Sequence, residues 1–484
     1  MKTFLISFFC CACLFSFAQS GISWGMGMNI ASNASGNKHP RVVVDGSGNP
    51  MVLWGNSGKA MFSRWNGTAF TSPVMVNPMG MTIAEASWMG PDIASKGDTV
   101  YVVFKRTPEA SDTNHVFCVH SYDGGVTFSP AVQIDFIADS ISRFPTVTTD
   151  ASGNPIIAYM KFDPGFGNAR WVVVKSTDFG LTFSTDTKAS GWNGPGSLVC
   201  DCCPGSIVSS GNTVAMLYRD NSSNIRDTWA GISTNGGNTF SAGMGVDQQN
   251  WVLNACPSSG PDAEIIGDTL YSVYMNGASG MNLAYYNKSS LSAGTGSIAI
   301  PLTGTISGLA LQNYPRMSAD GNAMAIAWKQ TISSSSELPL LFTNNIAGGF
   351  PTTTEIVDMN DITNTDVVLK NGNIFVVWQD DNSGTVKYRT GTYSIFTSSN
   401  LESNTNPFTV YPNPVSDILK IKSSASFPFS YRILNGLGAE IMSGDSGMNS
   451  NSDLEIEMTA QSKGIYFIQI KTTNNTFTHK VIKQ

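Results

Sequence analysis

Seven times between His39 and Gln379 the chain repeats one pattern: a short apolar run, a turn of Gly, Asn or Asp, and a second run ending near an aromatic. The copies are HPRVVVDGSGNPMVLWG, GPDIASKGDTVYVVFK, RFPTVTTDASGNPIIAYMK, CPGSIVSSGNTVAMLYR, GPDAEIIGDTLYSVYMN, YPRMSADGNAMAIAWK and TDVVLKNGNIFVVWQ. Short β-branched and aromatic runs bounded by turn residues predict strands, and two of them around a tight turn predict a hairpin. Each copy is followed by two more strand-like runs, and the copies recur about every 50 to 59 residues. One repeat is therefore a four-stranded sheet that cannot bury its own faces. Sheets set radially bury one another, so the pattern predicts an all-β chain, a β-propeller of seven blades with six as the alternative. The last copy runs out near Asn400 after about three strands, while WGMGMNIAS (Trp24 to Ser32) precedes the first. Pairing these two ends would close the ring and leave no open edge.

A second repeat is superposed on the first. CVHSYDGGVTFSP returns as VKSTDFGLTFS and GISTNGGNTFS, about 55 residues apart and between the third and fourth strands of repeats two, three and four. Ser121, Asp123, Gly125, Thr127 and Phe128 form one full motif; Ser176, Asp178, Gly180, Thr182 and Phe183 form another; the third has Asn235 in place of Asp. Short polar side chains that bond their own backbone, with a Gly for the special dihedral, predict a hairpin turn. The motif resembles the Asp-box, or bacterial neuraminidase repeat, of the sialidase-type propellers. The resemblance implies a structural staple on the face opposite the ligand, with the Phe plugged between blades.

The texture changes from Phe408 onward. Tyr411-Pro412-Asn413-Pro414, the run Gly464-Ile465-Tyr466-Phe467 and the closing Lys480-Val481-Ile482-Lys483 resemble the C-terminal sorting domain of the type IX secretion system of Bacteroidetes. Its alternating runs predict a small β-sandwich. The resemblance implies outer-membrane translocation by the type IX machinery, cleavage of this domain, and release or attachment at the cell surface. MKTFLISFFCCACLFSFAQS reads as a signal peptide, with a lipid anchor on Cys13 as its rival. No later segment is long and apolar enough for a membrane helix. The expected organisation is 1–18 signal peptide, 19–400 propeller, 401–407 linker and 408–484 sorting domain.

Composition then narrows the function. Residues 19–407 carry 20 Lys and Arg against 29 Asp and Glu, a balance unsuited to nucleic acid. In a propeller the start of each innermost strand and the end of the next open on one face around the channel. The first set holds His39, Arg41, Asp92, Arg143, Cys203, Asp262, Tyr314, Arg316 and Asp366. The second holds Gly55, Lys105, Lys161, Arg219, Asn276, Lys329 and Gln379, with Arg106, Asp220 and Asp380 one residue further on. Arg41, Lys105, Arg143, Lys161, Arg219, Arg316 and Lys329 would make a cationic funnel for a carboxylate or sulfate. The bland alternative pairs these cations with Asp92, Asp262, Asp220 and Asp380.

The sialidase resemblance implies three arginines on a substrate carboxylate, a tyrosine nucleophile with a glutamate partner, and an aspartate acid or base. Candidates are Arg219, Arg316 and Arg41 or Arg143 for the clamp, Tyr314 or Tyr218 as nucleophile, and Asp92 and Glu264 as the acids. The chain departs from that pattern: HPR stands where the enzymes place Arg-Ile-Pro, and there are seven repeats rather than six. No Gly-x-Ser-x-Gly elbow, phosphate loop or zinc-hydrolase histidine spacing occurs. The expected function is binding of a glycan or another anionic ligand by a secreted or surface protein, with an exo-α-sialidase and a structural or adhesive protein as alternatives.

SLVCDCCPGS and NACPSSGPD precede consecutive innermost strands, which brings Cys200, Cys202, Cys203 and Cys256 together. A disulfide from Cys256 to Cys202 or Cys203 is expected in an oxidising compartment, and a thiolate site for zinc or cuprous copper is the alternative. Apart from that metal no cofactor is expected. Cys118, in a third strand, is expected to be a buried inert thiol.

Overall fold

The computed structural model describes residues 21–30, 35–109, 115–135, 141–194, 197–359, 361–395, 407–423, 428–436, 438–446, 453–472 and 476–484. The expected signal peptide and residues 401–406 of the expected linker lie outside the described residues. The chain divides into two units, 1–396 and 397–484.

In the first unit each repeat forms one antiparallel sheet. The seven first strands are Asn37–Val44, Asp92–Lys96, Ile141–Thr149, Ser206–Ser210, Asp262–Ile266, Leu309–Asp320 and Ile362–Lys370. Each pairs with the strand that follows it, which in turn pairs with a third. These second strands, such as Thr99–Thr107, read as nearly continuous apolar runs because a sheet covers each of their faces. Val100, Val102 and Phe104 pack toward Met51, Leu53 and Phe62 of the first sheet, while Tyr101 and Val103 pack toward Ile157 and Tyr159 of the third. Period-two alternation thus sends neighbouring residues into two different cores.

A separate apolar cluster fills every boundary between successive sheets. A further one joins Val377 and Tyr388 of the seventh sheet to Val52 and Trp54 of the first. The outer edge of the seventh sheet is supplied from the N-terminus: Ile22–Trp24 pairs with Thr385–Tyr393 in the register Ile22↔Tyr393, and Met28 faces Tyr388. Strands from the two ends of the unit therefore share one sheet, the pairing the sequence predicts.

The three short turn motifs take one geometry. Ser121 donates its hydroxyl to Asp123 at 2.7 Å and accepts the Gly125 N–H at 2.9 Å. Asp123 in turn accepts from the N–H and hydroxyl of Thr127 at 2.9 and 2.6 Å. Ser176, Asp178, Gly180 and Thr182 repeat this arrangement, and Asn235 performs it in the fourth sheet by donating from Nδ2 to Thr239. Gly125 has φ +78°, and a Cβ there would come within 2.3 Å of the Phe62 ring, so the turn is glycine's on two counts. Phe128 meets Phe62 edge-on at 5.0 Å, between the first and second sheets. Ser121 pairs with Val100 at the beginning of the second strand, far from Asp92. The motifs therefore occupy the end of the sheets opposite the polar openings.

The second unit has a three-stranded sheet (Phe408–Tyr411, Ile418–Ser423, Leu454–Glu457) and a four-stranded one (Ser430–Leu434, Glu440–Asp445, Gly464–Lys471, Thr476–Lys483). Phe408, Leu419, Ile433, Ile468 and Val481 fill the space between them, giving a small β-sandwich.

Candidate functional site

Each first strand carries one polar residue opposite the residue just before the buried aromatic of its second strand. The pairs are Arg41↔Leu53, Asp92↔Val103, Thr146↔Ala158, Ser206↔Leu217, Asp262↔Val273, Arg316↔Ala327 and Asp366↔Val377. The aromatics that follow, Trp54, Phe104, Tyr159, Tyr218, Tyr274, Trp328 and Trp378, are at most 1% exposed and anchor this register. Local sequence aims the polar residues. A proline precedes five of them directly, as in His39-Pro40-Arg41, Gly90-Pro91-Asp92 and Tyr314-Pro315-Arg316. The ladder shifts register at Lys38/Arg41, Arg143/Thr146 and Asn313/Arg316, and His39, Phe144 and Tyr314 take φ of +54°, +52° and +51° there. These bulges, inside the first strands of the first, third and sixth sheets, re-aim the side chains that follow, as bulges beside functional openings do.

The seven residues form a polar belt. Arg41 Nε lies 3.9 Å from Asp92 Oδ1, and Thr146 donates to Asp92 Oδ2 at 2.8 Å. Ser206 donates to Asp262 at 3.0 Å; Arg316 Nε stands 3.4 Å from Asp262 Oδ2 and 3.0 Å from Asp366 Oδ1. Each aspartate also accepts a backbone N–H from the next sheet: Val147 to Asp92, Met317 to Asp262 and Val42 to Asp366. Hydrogen bonds to a charged acceptor contribute roughly 1.5–3 kcal/mol each, so these carboxylates hold neighbouring sheets together.

Electrostatics follow from burial in a mixed-charge belt. Burial works against the Arg316 charge, yet Asp262, Asp366 and Asp92 outweigh it and hold the guanidinium protonated above its usual range. Arg41 is lowered to about 10, first by burial and then by Arg316. Burial, then Arg41 and Arg316, push His39 well below the usual imidazole value. The neutral ring therefore accepts from Arg41 Nη2 through Nε2 at 2.6 Å, since a guanidinium can only donate. Glu264, two residues beyond Asp262 on the same face, is raised to about 8 by burial and by Asp262.

Four belt residues, Arg41, Asp92, Thr146 and Arg316, line a cavity of about 50 Å³ whose walls also include Trp88, Phe144, Tyr314, Pro145 and Asn364. Trp88 and Phe144 lean together at 5.5 Å between centroids. This space holds a hydroxyl or a few waters, whereas enclosing a sugar needs several hundred Å³.

Of the residues singled out from sequence, Arg41, Arg316, Asp92, Tyr314 and His39 meet at this mouth. Among the described residues the cationic funnel does not form: no lysine lines the cavity, and the belt has two arginines against three aspartates. Arg143 turns away to Glu109 through Nε at 2.6 Å and stacks over Phe166 at 4.5 Å. Lys161 pairs with Asp186 at 2.6 Å. Arg219, 1% exposed, donates to the carbonyls of Ser259, Arg226 and Met275 and cannot reach a ligand as placed. Lys329 reaches Thr363 at 3.5 Å, and burial lowers its pKa. Lys105 is lowered to about 8 by burial, against the pull of Glu109 and Asp135. Tyr218 is fully buried and accepts the Gly191 N–H at 3.2 Å, which removes it as a nucleophile. In the belt itself Thr146 and Ser206 stand where Arg143 and Cys203 were expected, because the bulge and the Cys203-Pro204-Gly205 step shift the register. Trp88, Phe144 and Asn364 were not anticipated; the X-Pro-polar triplet is the sequence signal that marks the belt.

Cys202 and Cys256 form a disulfide that links the segments ahead of the fourth and fifth sheets. Cys200 and Cys203 are buried thiols. With Cys202 in a disulfide, four thiolates are not available to one zinc ion. Cys118 is fully buried, and burial raises its thiol pKa.

Residues 409–484 match the family model described as the secretion system C-terminal sorting domain. This tail directs type IX secretion-dependent export, to the medium or the outer-membrane surface. Among the described residues no helix is long and apolar enough to cross a membrane. No curated protein sequence matches the chain. Among solved structures, a protein of unknown function from Dyadobacter fermentans is similar at 11% identity over 78% of this chain and 100% of that one, with a TM-score of 0.46. The leech intramolecular trans-sialidase gives 12% identity, 77% and 70% coverage and 0.41. The Trypanosoma rangeli sialidase bound to the inhibitor DANA gives 10%, 92% and 84%, and 0.42. At these values neither ligand nor activity passes to this chain. The chain is thus all-β, with seven antiparallel sheets and three turns of one shared hydrogen-bonding geometry in its first unit, and a secretion system sorting domain at its C-terminus.

Proposed function

We propose that the exported protein binds glycans at the mouth of its first unit. One observation carries the reading: aromatic side chains (Trp88, Phe144, Tyr314) stand over a belt of buried, ion-paired donors and acceptors. A sugar ring rests on apolar walls while its hydroxyls seek fixed polar partners, the division of labour of most ligand sites. The mouth admits hydroxyls rather than a whole ring, so the sugar stacks on the rim. The ligand favoured is neutral, because Arg41 and Arg316 already face three aspartates and a substrate carboxylate would compete with them.

The test is a glycan array probed with the full exported chain and with Trp88→Ala, alongside hydrolysis of a fluorogenic sialoside. Binding of neutral glycans without turnover, weakened tenfold or more by Trp88→Ala, is the expected result. Sialoside turnover lost in Arg316→Ala would replace this reading with the enzyme. Absence of both would leave the adhesive alternative.

A further inference from the structure

Four sulfurs meet at one boundary between sheets, and the disulfide accounts for only two of them. Cys200 and Cys203 are the first and last residues of a tight turn closed by the Cys203 N–H to the Cys200 carbonyl at 3.3 Å. Such a turn brings its end Cα atoms within about 7 Å, inside the span of roughly 4.4–6.8 Å that a disulfide needs. Their Sγ atoms lie 2.8 Å apart, and Cys200 Sγ lies 3.5 Å from Cys202 Sγ of the existing disulfide. Cys200 and Cys203 are 0% and 1% exposed, whereas Cys256 is exposed.

We propose that the four cysteines form a thiol–disulfide exchange relay whose oxidised end state holds a Cys200–Cys203 disulfide beside Cys202–Cys256. The buried pair cannot meet an external oxidant, but its neighbour can. Cys200 thiolate attacks Cys202 Sγ; the Cys202–Cys256 bond breaks and Cys256 leaves as a thiolate. Cys203 then attacks Cys200 Sγ, closing Cys200–Cys203 and releasing Cys202. The two protons lost by Cys200 and Cys203 end on Cys202 and Cys256, and two electrons pass from the inner pair to the outer. An external disulfide such as oxidised glutathione, reduced to two thiols, restores Cys202–Cys256. Hydrogen bonding from Cys203 lowers the Cys200 thiol to about 7, with help from Arg219 and Arg226, while burial raises Cys203. Cys200 is therefore the thiolate that starts the exchange, as in other Cys-x-x-Cys pairs.

The full exported chain is incubated with oxidised glutathione, unfolded, alkylated and mapped by mass spectrometry, with metal content measured on the same sample. Cys118 is expected to be alkylated and Cys200 and Cys203 not. Alkylation of both, or one equivalent of zinc or copper per chain, would overturn the second disulfide. The Cys202→Ser/Cys256→Ser variant is expected to oxidise its inner pair tenfold or more slowly. An unchanged rate would overturn the relay and leave direct oxidation.

Discussion

Arg316 donates its Nε–H to Asp366 at 3.0 Å, across the boundary between the sixth and seventh sheets, while Asp262 of the fifth stands 3.4 Å away on its other side. One guanidinium thus ties three sheets whose residues are separated by more than a hundred positions in the chain. Removing it strands two carboxylates that are 7% exposed. Arg316→Met is expected to lose about 3–5 kcal/mol in urea unfolding. Adding Asp262→Asn and Asp366→Asn should recover part of that loss, since the repulsion leaves with the charges.

Arg219 should behave as a structural residue and not as a clamp. Its planar fork serves three carbonyls of neighbouring segments and its ring neighbour Trp251 lies 5.3 Å away. Lysine cannot reproduce that fork. Arg219→Lys is expected to cost about 2 kcal/mol or more, measured by thermal unfolding, with glycan binding unchanged at temperatures where the variant is folded.

Glu264 should impose a falling stability profile across neutral pH. Its folded pKa of about 8 lies above the ordinary 4.5, so the folded chain keeps a proton that the unfolded chain has released. Its contribution is therefore most favourable below pH 4.5 and declines as pH rises toward 8. Glu264→Gln should flatten this decline and raise the melting temperature above pH 8 relative to the parent, in scans taken from pH 5 to 9.

The Ser-x-Asp turns should matter at low pH and nowhere near the ligand. Hydrogen bonds from the hydroxyls of Thr182 and Ser176 and the N–H of Thr182 hold Asp178 down to about 2. A depressed carboxylate contributes stability above its ordinary pKa and loses it as pH falls through the folded value, here from about 3.8 toward 2. Asp178→Asn should weaken that acid dependence and leave glycan binding unaltered.

Much of the architecture was legible because strand periodicity and turn chemistry are local. Seven hairpins could be read from runs such as VVVDGSGNPMVLWG, and the partnering of the N-terminal strand with the last repeat followed from an unpaired edge. The belt was only partly legible. Arg41, Asp92, Asp262, Arg316 and Asp366 stood in the right place, but counting straight along the chain put Arg143 and Cys203 where Thr146 and Ser206 belong. Between Arg143 and Thr146 a bulge displaces the register by one residue, which changes the side chain that faces the opening, and ahead of Ser206 the Cys203-Pro204-Gly205 step starts the ladder later.

Charge was legible as composition and misleading as location. The cations at the ends of the second strands looked like a funnel because their spacing repeats, yet Lys161 turns to Asp186, Arg143 to Glu109 and Arg219 to backbone carbonyls. What the sequence by itself determined is the set of strands, their turns, the repeat number and the export tail, all governed by neighbours a few residues away. What only the tertiary structure decided is which long side chain meets which partner. Flexible cations reach several positions, and the nearest buried carboxylate or carbonyl, contributed by a distant part of the chain, selects among them.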